Sequence, residues 1–206
     1  MNIINPEELN PQQQVLPNDV IEKAIRLHQI FYSQLPKLSN EARATGMVFF
    51  YRFYEHEQNI YPKDFALYAI SCLHLGTKVC ESAIPLSQFS NIISNAKGDI
   101  RVQFQEVFET LPSYSSDNFI VELNQKLIDR EMHAIVALGF NFEVIQPYKF
   151  TRPYIEKILK WHLKPDSDIF KSLRSELLEY SSLFLNDLQL TSMFYIYKPE
   201  LLAFAA

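Results

Sequence analysis

The chain has 206 residues, 48% apolar and 14% aromatic, enough to build a core and too apolar for a disordered segment. Its 19 basic residues against 24 acidic ones give a net charge of −5, the wrong sign for a surface that tracks phosphates. Only 4 glycines occur, too few for a protein of hairpins or phosphate loops, and this favours helices.

Residues 1–17 carry Pro6, Pro11, Pro17 and the run Gln12–Gln14, a polar lead-in. A first helix is predicted from Asn18, which with Asp19 supplies capping side chains. Ile21, Ala24, Ile25, His28, Phe31 and Tyr32 then repeat at helical spacing, until Leu35-Pro36 ends the run. Ala42 to Tyr54 forms a second apolar helix. Tyr61-Pro62 follows, with Pro62 suited to the first turn of a third.

That third helix is the centre of the chain. Phe65, Leu67, Tyr68, Ala69, Ile70, Cys72, Leu73 and Leu75 leave no wide polar face, and a helix apolar all round belongs inside a domain. Pro85 opens a fourth helix, Leu86 to Ile93. Lys97-Gly98-Asp99 is expected as a turn, Val102 to Phe108 as a short helix, and residues 112–116 as a loop. Asp117 and Asn118 cap a long fifth helix, Phe119 to Leu138, which Gly139 closes. Gln146-Pro147 marks the strongest boundary. Beyond it helices are predicted from Lys149 to His162, from Asp168 to Leu188, and from Pro199 onward. The fold class is all-α, with residues 18–145 as a first helical unit and 146–206 as a second.

Cys72 and Cys80 lie eight residues apart, about 12 Å along a helix, too far for a disulfide, so free thiols are expected. Of Cys72, His74 and Cys80, the first two point to different sides of a helix and no fourth ligand lies nearby, so no metal or other cofactor is expected. No nucleophile motif, phosphate loop or kinase signature occurs, and an enzyme is not indicated. No apolar run approaches the ~20 residues of a membrane span, and no leader opens the chain. A soluble intracellular protein is expected.

Four segments carry a resemblance. FFYRFYEHEQNI and DFALYAISCLHLGTKVCES resemble the second and third helices of a cyclin box. REMHAIVALGFNFEVIQPYKF resembles the end of its fifth helix and the linker to a second box. FLNDLQLTSMFYIYKPELLAFAA resembles the second and third helices of that second box. The four stand in the family's order over residues 18–206. The FYRFY form is closer to the transcription-type cyclins C, H, K, L and T than to mitotic ones.

The resemblance implies a five-helix first cyclin box, and a second box that is incomplete at the C-terminus, with an apolar face left for a partner. It implies a regulatory subunit that binds and activates a cyclin-dependent kinase, in the nucleus, with no direct contact to nucleic acid. The family's kinase-facing lysine and glutamate match Lys78 and Glu131. Its surrounding apolar contacts match Leu75, Val79, Met132, Ile135, Phe140 and Phe142, with the two phenylalanines as anchors. Two departures stand out. Cys80 replaces the first of two acids after the lysine, leaving Glu81. The family's substrate-docking motif is also missing: IEKAI occupies Ile21–Ile25, and His28 stands where a tryptophan would. Arg52 is expected to pair with an acid, Asp187 being one candidate. The alternative is a transcription-factor scaffold of the same fold, which would show a basic face and a zinc ribbon. Neither is visible in the sequence.

Overall fold

The computed structural model describes residues 18–56, 64–109, 118–165 and 167–206. Among these the chain is all-helical, with no strand. The helices are α1 Asn18–Gln34, α2 Asn40–His56, α3 Phe65–Val79, α4 Leu86–Ser94, α5 Gly98–Gln103, α6 Gln105–Glu109 and α7 Phe119–Ala137. After the linker come α8 Tyr148–His162, α9 Asp168–Leu188, α10 Met193–Ile196 and α11 Pro199–Ala205.

Every residue of α3 from Phe65 to Thr77 is buried, as its apolar circumference demands. α2 crosses it at backbone distance. A Cβ on Gly76 would lie 2.6 Å from the Ala42 carbonyl oxygen and 2.7 Å from the Gly46 nitrogen. A Cβ on Gly46 would meet the Leu73 Cα at 2.7 Å. The two glycines let the helices touch where any side chain would hold them apart. α7 lies against another side, where Ser71 Oγ donates to the Leu127 carbonyl at 2.9 Å. Ser90 on α4 hydrogen-bonds Asn124 on α7.

α1 closes a further side through a buried histidine. His28 Nε2 donates to the Ala69 carbonyl at 2.8 Å, which fixes the neutral tautomer. Burial pushes its pKa down from 6.5 to about 4, and the nearby Arg43 charge adds to the effect. His28 is therefore a core contact to α3. Phe31 extends the same face, its ring centroid 5.0 Å from Phe89 and 5.7 Å from Phe104.

The helices after the linker gather around two smaller apolar clusters. Ile155, Leu159 and Phe170 form one. Leu185, Phe194 and Leu202 form the other, together with Ala44 of α2. A polar seam runs beside it. Arg43 donates from Nε and Nη2 to Gln189 Oε1 at 3.2 and 2.7 Å. Gln189 donates to the Tyr148 hydroxyl at 2.5 Å, and that hydroxyl donates to Asn186 at 2.7 Å.

Several expectations need correction. Lys97-Gly98-Asp99 is not a free-standing turn: Gly98, at φ +56°, is the first residue of α5. The expected helix from Val102 to Phe108 is divided at Phe104, which turns wholly inward against Phe31. Asn118 precedes α7 but makes no capping bond from its side chain. The short α10 was not foreseen. Arg52 donates to the backbone carbonyl of Glu143 at 2.9 Å, holding the linker, rather than to the carboxylate of Asp187. Pro62, residues 1–17, Asp117 and the loop at 112–116 lie outside the described residues.

Two outcomes follow. Gly76→Ala is expected to cost about 1–3 kcal/mol in urea unfolding, because α2 and α3 must separate to admit a methyl group. For His28, the folded pKa lies below the unfolded one, so its contribution is complete above pH 6.5 and is lost as pH falls toward 4. The shift corresponds to about 3 kcal/mol. The His28 ring signals should not titrate by NMR between pH 5.5 and 7.

Candidate functional site

The ends of α3 and α7 share one closure. At α3, Ser82 N–H donates to the Thr77 carbonyl at 2.9 Å and Glu81 N–H to that of Lys78 at 3.2 Å. At α7, Phe140 N–H donates to the Ile135 carbonyl at 3.1 Å and Gly139 N–H to that of Val136 at 2.9 Å. Both are Schellman closures, which need a left-handed residue just past the helix. Gly139 supplies it at φ +58°, whereas α3 uses Glu81 at +53°. Phe140 also stands at φ +58°, a conformation that costs a non-glycine residue about 1–2 kcal/mol.

Lys78 and Glu131 meet across 53 residues where α3 packs against α7. Lys78 Nζ donates to Glu131 Oε1 at 2.5 Å. His74, one turn earlier on α3, donates from Nδ1 to Glu131 Oε2 at 2.6 Å. An ionised carboxylate only accepts, so the proton lies on the histidine nitrogen. The His74 ring packs edge-on against Phe89 at 5.3 Å. The Glu131 side chain is 10% exposed and that of Lys78 is 46% exposed. Burial alone would push the Glu131 carboxyl up. The hydrogen bonds from His74 and Lys78 and their charges outweigh it and leave the pKa below the ordinary glutamate value. The glutamate is thus an internal clamp, and the lysine is the part of the pair that solvent meets.

The apolar residues expected around the pair divide into two groups. Val79, Met132 and Phe140 are exposed, Phe140 to 67%. Leu75 is buried, and Ile135 packs against the core. Phe142 also turns inward, its ring 5.9 Å from Phe49, so it is half-buried against the core rather than a free anchor. Val136 and Ile128 were missed, though both are exposed on α7. Ile128, Met132 and Val136 follow at intervals of four and form one stripe. The position of His74 four residues before Lys78 was the available signal for the third member of the cluster.

Among the described residues no group of three His, Cys, Asp or Glu side chains is placed to hold a metal ion. Cys72 and Cys80 are free, and burial pushes the Cys72 thiol far up, away from reactivity. Among the described residues no helix is long and apolar enough to cross a membrane.

The clamp has a measurable acid limit. Glu131 stabilises the fold above its ordinary value near 4.5 and loses that contribution as pH falls through its depressed folded value. Glu131→Gln is expected to cost about 1–2 kcal/mol at pH 7, allowing for the solvent around Lys78. The difference from wild type should shrink in denaturation curves taken at progressively lower pH.

A scan against protein-family models finds no match to this chain, and a search of curated proteins finds none either.

Proposed function

We propose that the chain is a cyclin-type regulatory subunit that binds a cyclin-dependent kinase of the transcription-regulating class in the nucleus and switches it on. One observation carries this reading. Lys78 and Glu131, which match the family's kinase-facing pair, meet where the last turn of α3 lies against the body of α7, near exposed Val79, Met132, Val136 and Phe140. An exposed aromatic held in strained backbone at such a surface is a feature that a partner's binding can use.

On this reading the surface divides its labour. The apolar stripe of α7 and Phe140 supply affinity by desolvation. Lys78 supplies orientation, with its remaining ammonium donors directed at acceptors on the partner. Glu131 does not reach outward; it holds Lys78 in place. A protein kinase is active only when its regulatory helix is held inward so that a glutamate on it pairs with the strand lysine. A subunit that binds the inward state more tightly shifts the population toward activity by the ratio of its two affinities. The chain contributes no catalytic group to that reaction.

Incubation with a panel of purified cyclin-dependent kinases, read by pull-down and by phosphate transfer, tests the reading. Binding and activation of at least one kinase is expected, and failure with every member of the panel overturns it. Lys78→Ala is expected to weaken binding about tenfold or more with helicity unchanged by circular dichroism. Phe140→Gly separates strain from function. It should leave stability unchanged or raise it by up to about 1 kcal/mol, by relieving the positive φ, while weakening the kinase complex about 30-fold.

A further inference from the structure

Arg43 is 7% exposed, yet no carboxylate pairs with it among the described residues. Its guanidinium lies over the Tyr32 ring at 4.6 Å, and its Nε and Nη2 both donate to the neutral Gln189 side chain. Buried charges are ordinarily paired, because desolvation costs more than neutral partners return. The third nitrogen, Nη1, makes no hydrogen bond among the described residues. Among the described residues the sealed side-chain polar atoms without a partner are His28 Nδ1, Arg130 Nε and Gln146 Oε1, and Nη1 of Arg43 is not one of them.

Arg43 borders an open cleft of about 600 Å³ between α1 and α5, lined also by Arg26, Gln29, Ser33 and Gln103. Two guanidinium groups, two amides and a hydroxyl therefore border one shallow, open depression, and the exposed Arg26 also faces Glu22 at 3.8 Å. One carboxylate, Asp99, lines the cleft without pairing with Arg43. The uncompensated charge is felt by its neighbours: it helps depress the His28 pKa and pulls against burial at Tyr148 and Tyr195.

We infer that the cleft between α1 and α5 binds a small phosphate-class oxyanion, with Arg43 as the buried counter-charge and Arg26 as its exposed partner. The guanidinium is already oriented by Tyr32 and Gln189, so binding costs little side-chain ordering, and its Nη1–Nη2 edge, which Gln189 does not occupy, suits a phosphate oxygen pair. The site lies apart from Lys78 and Glu131 and does not rest on kinase binding.

The test titrates the whole chain with inorganic phosphate at constant ionic strength, with acetate as the parallel arm, and follows the Arg43 Nε–H resonance by NMR. A saturable shift with phosphate that exceeds the acetate response is expected. Arg26 and Asp99 are surface positions whose replacement leaves the core untouched. Arg26→Gln should weaken phosphate binding about tenfold, the loss of one charge-assisted hydrogen bond. Asp99→Asn should tighten it several-fold by removing the opposing charge. No saturable shift, a shift no larger with phosphate than with acetate, or indifference to both substitutions would overturn the assignment.

Discussion

The constraint on which the molecule depends is that α3 has no side fit for water. Thirteen consecutive residues, Phe65 to Thr77, must all be covered, so α1, α2, α4 and α7 have to be arranged around one rod. Coverage on the α2 side is so close that it is made by backbone. Gly46 and Gly76 meet where a Cβ would overlap neighbouring main-chain atoms. In a chain with 4 glycines, two are used in this crossing and the other two, Gly98 and Gly139, adopt positive φ. Each glycine therefore answers a definite geometric need.

A helix sealed along its length can present something to the outside only at its end. Lys78 sits in the last turn of α3, where a cation is favoured by the helix dipole and where burial gives way to solvent. Glu131, in contrast, lies in the body of α7 on the side facing α3, and it is buried because two donors meet it there. The pair is asymmetric for that reason. One charge is locked inside a hydrogen-bonded cluster and the other projects from it. A partner approaching this surface meets a positive tip on an apolar strip rather than a neutral ion pair, and the strip is continued by Phe140 in its strained conformation.

The junction between the helices before and after the linker follows a different rule. Its centre is polar: Arg43, Gln189, Tyr148 and Asn186 form a chain of hydrogen bonds, and Tyr195 donates to the Gln189 carbonyl at 2.9 Å. Such a network tolerates only one alignment, since a shift of either side strands buried donors. Arg52 adds a second tie from α2 to the linker carbonyl of Glu143. The register of α8–α11 on the first helices is thus set by polar geometry, and the apolar contacts of Ala44, Leu185 and Phe194 fill in around it.

What the amino-acid sequence determined by itself was local and periodic. The bounds of α9 and the closure of α7 at Gly139 were legible because caps, prolines and apolar spacing act within a few residues. So was the burial of α3, since a helix apolar on every side has only one place to go. The meeting of Lys78 with Glu131 was reached through resemblance, as nothing local to either residue announces the other. Tertiary structure alone decided which side chains face in. Phe140 and Phe142, two residues apart in the same linker, part company because the positive φ at Gly139 and Phe140 turns the chain and sends Phe142 against Phe49. His74 enters the cluster only because α7 passes over its face of α3. Arg43 becomes buried only because α9 brings Gln189 to it across 146 residues. Periodicity states which residues share a side of a helix; what stands opposite that side is fixed by packing between distant segments.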